Sequence, residues 1–253
     1  MSSEREALKA DFLSRQGYGD ARREPLSGDA STRAYERIYP ADGGASLIFM
    51  DQPPKAETAP CPPGATAAER EGLGFNAAYR LASGRVDAFA ATAWHLRSLG
   101  LSAPEILAFD AEAGLAVMED LGDALYAAEI TAGRAEEAPL YDAAIDALVV
   151  LHATTPPDVL EAPGASWPLL TYDDLALRYA QGLFVEWLPR LRPAFAPDDA
   201  ALAEWEALWA PIRARAEAGA EVFCHRDYHA ENLLWLPDRE GAARVGMVDF
   251  QDA

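Results

Sequence analysis

Across 253 residues, 41 Asp and Glu outnumber 21 Lys and Arg, which gives a formal charge of −20 at pH 7. That balance excludes a protein whose affinity rests on clustered cations along a nucleic-acid backbone. Hydrophobic residues make up 50% and charged residues 25%, which is globular usage and excludes the low-apolar, high-charge signature of disorder.

In chain order, residues 4–16 place Leu8 and Phe12 four apart among charges, which predicts a short amphipathic helix ending at Gly17 or Gly19. Two extended runs follow, Thr32 to Tyr39 and Ser46 to Met50, separated by the turn residues Pro40 to Gly44, and they predict a hairpin. Residues 52–84 are rich in Ala, Gly and Pro without a clean period, so an insertion or loop with some helix is expected there. Val86 to Leu99 reads as a helix stopped by Gly100, and Glu105 to Phe109 with Leu115 to Met118 as a second hairpin. Helical spacing then recurs over 140–152, 174–188 and 198–218, with Pro211 expected to kink or restart the last of these. A final hairpin is predicted from Asn232 to Leu236 and Val245 to Phe250. The order is a small β-rich lobe, a linker near 119–123, and a helical lobe closed by a late hairpin.

Lys9 and Lys55 are the only lysines, so arginine carries nearly all the cationic work. Cys61 and Cys224 show no CxxC or metal-ligand spacing, and a chain of this length needs no disulfide, which fits a reducing compartment. The first residues lack the apolar stretch of a signal peptide, and no run approaches the roughly 18 apolar residues of a membrane span. A cytoplasmic monomer without nucleic-acid or membrane partners is expected.

The residues that carry chemistry are concentrated in His225-Arg226-Asp227-Tyr228-His229-Ala230-Glu231-Asn232 and Val248-Asp249-Phe250. An Asp, an Asn five positions later and a second Asp at a strand end are the parts of phosphoryl transfer: one carboxylate for the attacking hydroxyl, two hard oxygens for Mg²⁺. If the turn centres on Arg239 and Glu240, Asn232 falls opposite Met247, about two residues short of Asp249. Both oxygens then lie at one end of one hairpin. Loop capping is the structural alternative for these residues. The four-residue spacing of His225 and His229 suggests a metal pair, but no third ligand follows, and His225 is expected to brace the loop.

The segments HRDYHAENLLWLP and GMVDFQDA resemble the catalytic and metal motifs of the aminoglycoside phosphotransferase and choline kinase superfamily. LSGDASTRAYERIY is similar to its first hairpin and phosphate loop, SLIFMDQPP to its third strand, and LGLSAPEILAFD with GLAVMEDLG to the approach to its hinge. Among the subfamilies, the motifs look most like the anomeric kinases of N-acetylmuramate and N-acetylglucosamine in cell-wall recycling. The resemblance implies an α+β, two-lobed protein-kinase-like fold with an N-lobe over 1–121 and a C-lobe over 122–253. It implies ATP and Mg²⁺ as cofactors, Asp227 as the catalytic base, and Asn232 with Asp249 as the metal ligands. Ser27, Gly28, Asp29, Ala30, Ser31 and Thr32 would lie over the phosphates, and the backbone from Glu119 to Leu121 would meet the adenine.

One departure stands out. Relatives carry a lysine on the third strand paired with a helix glutamate, whereas Ser46-Leu47-Ile48-Phe49-Met50 has no cation and the helix from Val86 has only Asp87. Strand alternation puts Arg33 and Arg37 on one face, and Arg33, nearer the phosphate loop, is the replacement expected, with Lys55 as the other option. His229, Glu231 and Arg178 are candidate sugar contacts. Trp167, Tyr172, Glu186 and Trp187 could line an acceptor pocket, though core packing explains the tryptophans equally well. His152 is expected to be a buried hydrogen-bonding residue. The alternatives to a sugar kinase are an aminoglycoside or other amino-alcohol kinase and a nucleotide-binding pseudokinase. Since relatives continue past the metal strand with helices of the large lobe, the chain is expected to be truncated at its C-terminus.

Overall fold

The computed structural model describes residues 3–26, 33–54, 60–219 and 221–253. Helix α1, Ser3–Arg15, opens the fold with Glu4 and Glu6 in its first turn and Arg15 in its last, the order its dipole favours. Its inward residues are Lys9, Phe12 and Leu13, whereas Leu8 is exposed. The stripe is thus rotated by one position from the apolar reading.

Strands β1 (Arg22–Pro25), β2 (Ala34–Tyr39), β3 (Leu47–Asp51), β4 (Ile106–Asp110) and β5 (Leu115–Glu119) form one antiparallel sheet in the order β1-β2-β3-β5-β4. Period-2 alternation sends Ile38, Phe49, Leu115 and Val117 to one face, where they bury against Phe12 and Leu13 of α1. Each side chain fully buried there contributes roughly 1.5–3 kcal/mol. The same face buries charge. Lys9 Nζ, fully buried, reaches Glu36 Oε1 at 2.6 Å, Glu6 at 3.0 Å and Asp51 at 3.7 Å, while Arg23 bridges Glu36 and Arg5 bridges Asp51. β1 was not expected, because Arg-Arg-Glu-Pro has no apolar alternation; it is an edge strand held by pairing with β2. Where β5 begins, Gly114 has φ +68°, and a Cβ there would stand 1.9 Å from Gln52 O, so only glycine fits.

The 52–84 segment is partly helical, with α2 (Ala67–Leu73) opened by a Thr66/Glu69 capping box and α3 (Phe75–Tyr79) behind it. Next come α4 (Val86–Ser98), α5 (Tyr126–Thr131) and α6 (Glu137–Leu151). His152, expected inside, is the exposed C-cap of α6. The hairpin β6 (Val159–Ala162) and β7 (Ala165–Pro168) packs on α4. Helices α7 (Asp174–Leu191) and α8 (Asp199–Glu217) precede the hairpin of β8 (Leu233–Trp235) and β9 (Val245–Met247). Pro211 does not end α8: it and Ala207, whose carbonyl it leaves without an amide, are both exposed, so water can serve that carbonyl.

The chain divides into two units: Met1–Ala56, Gly84–Leu169 and His225–Ala253 in one, Glu57–Ser83 and Leu170–Cys224 in the other. The first holds the five-stranded sheet, α4 to α6 and the late hairpin. In the second, buried Arg70 donates to Ala78 O at 2.7 Å and to Asp173 Oδ1 at 3.0 Å, and Asp173 in turn caps α7 through the Ala176 N–H at 3.1 Å. Buried Arg213 ties α8 to α7 through Asp174 and Gln181. Among the described residues no helix is long and apolar enough to cross a membrane, and Cys61 and Cys224 are both free thiols.

Candidate active site

The late hairpin is the platform. β8 and β9 pair Leu233 with Met247 and Trp235 with Val245, so Asn232 falls opposite Val248, one step nearer Asp249 than a turn centred on Arg239 and Glu240 requires. The Val248 N–H donates to Asn232 O at 3.1 Å. The extra residue is taken up by a 3₁₀ turn over Gly241–Arg244. Both strands are anchored outside the hairpin, β9 by Met247 N–H to Ser102 O and β8 by Trp235 N–H to Ala124 O, each at 2.7 Å.

The loop before β8 is fixed from several sides. Tyr228 donates its hydroxyl to Ala144 O of α6 at 2.8 Å, and Ala127 N–H of α5 donates to Ala230 O at 3.0 Å. His225 is buried, edge-on to Tyr228 at 5.4 Å and to Phe250 at 6.4 Å, and Phe250 stacks on Phe89 of α4 at 4.8 Å. Burial pushes the His225 imidazole down to about 4, against the smaller opposing pull of Asp249. The ring is neutral at physiological pH. Two non-glycine residues here adopt left-handed backbone, Arg226 at φ 68° and Asp249 at φ 60°. Such conformations cost on the order of 1 kcal/mol or more and gather at functional sites.

Within this frame the side chains converge. Asn232 Nδ2 donates to Asp227 O at 3.0 Å, and His229 Nε2 lies 3.1 Å from Asp227 Oδ1. Arg33, the residue before β2, places Nη1 2.8 Å from Asp249 Oδ1, and Gln251 Nε2 donates to that oxygen at 3.1 Å. Burial alone would raise the Asp249 carboxyl; the Arg33 charge, with hydrogen bonds from Gln251 and Arg33, outweighs it and holds the group below the usual carboxylate range. Asp249 is therefore an anion at neutral pH. Its carboxylate and the Asn232 amide oxygen are hard donors on neighbouring backbone positions, a set that suits Mg²⁺, which keeps water and phosphate as its other ligands.

The remaining expectations distribute as follows. Ser27 to Thr32 and Lys55 lie outside the described residues. On β3 the position facing Tyr35 is Met50, with no cation, and Asp51 points instead to α1. Arg37, the cation within β2, is engaged by Asp120 and Asp123. The Glu119 N–H is committed to Glu105 O at 2.8 Å, and its carboxylate to Arg97 and Arg239. The Glu231 side chain is exposed. Arg178 belongs to the second unit and pairs with Asp174 at 3.1 Å and Glu206 at 3.7 Å. Sequence reasoning missed Gln251, which braces Asp249. An amide two residues past a metal-type Asp was the available signal.

Residues 22–253 match the family described as Phosphotransferase enzyme family. The whole chain is 67% identical to the N-acetylmuramate/N-acetylglucosamine kinase of Caulobacter vibrioides, spanning 69% of that protein. It is 30% identical over 241 residues to the enzyme of the same name from Pseudomonas aeruginosa, covering 94% of this chain and 58% of that one. Against the Pseudomonas putida enzyme of that name, identity is 32% over 227 residues, 90% of this chain and 54% of the relative. The chain thus spans little more than half the length of the two Pseudomonas relatives. The meeting of the loop around Asp227 with the late hairpin, and the five-stranded sheet, agree with these matches: the chain belongs to the phosphotransferase enzyme family.

Proposed function

We propose that this chain carries the nucleotide and catalytic apparatus of an ATP-dependent sugar kinase acting on the anomeric hydroxyl of N-acetylmuramate or N-acetylglucosamine. The observation that carries the reading is the meeting of Asp227, Asn232, Asp249 and Arg33 at the end of one hairpin. The names of the relatives support the acceptor. The sugar oxygen attacks the γ-phosphorus, the bond from that phosphorus to the bridging oxygen breaks, and ADP leaves. Asp227 takes the proton released from the hydroxyl, at the carboxylate oxygen that His229 does not occupy. Asn232 and Asp249 would hold Mg²⁺, which when bound offsets charge on the phosphates. Arg33 stands beside them as the cation closest in role to the absent strand lysine, its planar fork suited to phosphate oxygens. With the Glu119 N–H committed, the adenine edge would be met by backbone nearer Leu121. Ser27 to Thr32 would cover the phosphates, and Glu231 and Arg178 remain candidate contacts to the sugar. The lobe boundary at 121/122 and a cytoplasmic setting are parts of the same reading, the latter supported by the two free thiols.

Replacing Asp227 with Asn is expected to abolish Mg²⁺-dependent ADP release with either sugar while leaving nucleotide affinity, measured by calorimetry, nearly unchanged. Retained turnover would falsify the assignment of the base. A second reading, a nucleotide-binding pseudokinase, is favoured by Met50 on the third strand. Nucleotide binding without ADP release for any amino sugar, muramic acid derivative or aminoglycoside would establish it.

A further inference from the structure

We propose that His229 is a positioning residue for the Asp227 carboxylate and not a contact to the sugar, an inference that rests on Asp227 being the base. The two polar atoms of the imidazole are both committed inside the loop. The backbone N–H of Glu231 points at Nδ1 from 3.3 Å. A backbone amide can only donate, so Nδ1 carries the lone pair and the ring proton sits on Nε2. That nitrogen lies 3.1 Å from Asp227 Oδ1, so its proton stands beside the carboxylate charge. Asn232 Nδ2 is also 3.4 Å from Nε2, but an amide NH₂ only donates and so has nothing to give a protonated nitrogen; one of its two N–H groups is used on Asp227 O at 3.0 Å. The reverse tautomer would set two N–H groups against each other at Nδ1 and a lone pair against a carboxylate at Nε2.

The consequence is geometric. Asp227 stands in a largely exposed position, its side chain 53% accessible, where a short carboxylate would otherwise sample its rotamers. His229 holds Oδ1 and leaves Oδ2 as the oxygen that meets the substrate hydroxyl. The Asn232 end of the loop is held without the ring, since His229 supplies its backbone carbonyl to the Asn232 N–H at 2.8 Å, and the exposed Glu231 N–H that the ring accepts can turn to water. Losing the imidazole therefore frees the base without moving the metal-type Asn. No polar atom of the imidazole is left over for a sugar hydroxyl.

The test compares two side chains of similar length that differ in one respect. His229→Gln keeps an N–H able to reach Asp227, whereas His229→Met has none. The expected result is a kcat for His229→Met about tenfold or more below that of His229→Gln, since a misplaced catalytic group costs up to about a hundredfold, with KM for sugar and for ATP alike in both and thermal melts matching the parent. Equal kcat in the two variants, or a raised sugar KM with kcat retained, overturns the proposal. Asp227→Asn run alongside separates the two readings: turnover surviving in that variant removes the base assignment itself, whereas loss there with equal Gln and Met variants removes only the role of His229.

Discussion

Burying the His225 imidazole between Tyr228 and Phe250 makes folding sensitive to acid. The folded group titrates near 4 instead of 6.5, so as pH falls below 6.5 the unfolded chain binds a proton that the folded one refuses. Stability from this residue is complete above pH 6.5 and is lost as pH falls toward 4. Between pH 7 and 4.5 the loss amounts to about 2 kcal/mol. Urea unfolding at those two pH values should show the drop in the parent, and His225→Leu should flatten it by that amount; parallel slopes in the two proteins would refute the assignment. At this scale the meeting of Asp227, Asn232 and Asp249 was legible from their spacing and from the hairpin between the last two, although the strand stops at Met247, short of Asp249. Arg33 was legible from strand alternation. The contacts of His229 were not, because they depend on which ring nitrogen faces the Glu231 amide, and no residue pattern encodes that.

Among the elements, α1 is the one whose placement rests on charge. Lys9 is sealed against Glu36 and Asp51, and these belong to β2 and β3, the strands that follow the proposed phosphate loop. Removing one partner from a buried ionic cluster leaves carboxylates without full compensation, so Lys9→Met should cost about 3 kcal/mol in urea unfolding. A change below about 1 kcal/mol would mean that Arg5 and Arg23 satisfy both carboxylates unaided. The apolar period predicted α1 but chose Leu8 as its inward face, since hydrophobic patterning cannot foresee a lysine that finds two carboxylates across the interface. Long periodic helices such as α4, α7 and α8 were readable to within a few residues. Short elements were not: β1, α5 and the β6–β7 hairpin are held by partners distant in sequence, and the β8–β9 register moved by one because its connection contains a 3₁₀ turn.

For the molecule as a whole, the formal charge of −20 sets the field that an incoming nucleotide meets. A polyanionic substrate approaching a polyanionic protein is repelled beyond the reach of Arg33, and salt screens that repulsion, with a Debye length of roughly 30 Å at 0.01 M shrinking to about 8 Å at 0.15 M. The KM for nucleotide is expected to fall about twofold when ionic strength rises across that range at fixed free Mg²⁺; a steady rise instead would mean that local cations dominate. Composition showed the sign of this field, while the division into two units, whose chain segments interleave, depends on long-range contacts that no local pattern announces. The buried amine of Lys9 also makes a reporter. Acylating reagents act only on an accessible, deprotonated amine, so its labelling rate measures how often α1 lifts from the sheet, a local opening equilibrium separate from global unfolding. With Lys55 the only other lysine, peptide mass would assign each adduct without ambiguity. Nucleotide that slows labelling at Lys9 would then register, at the back of the sheet, the ordering of strands whose other face carries Arg33 in the proposed phosphate site.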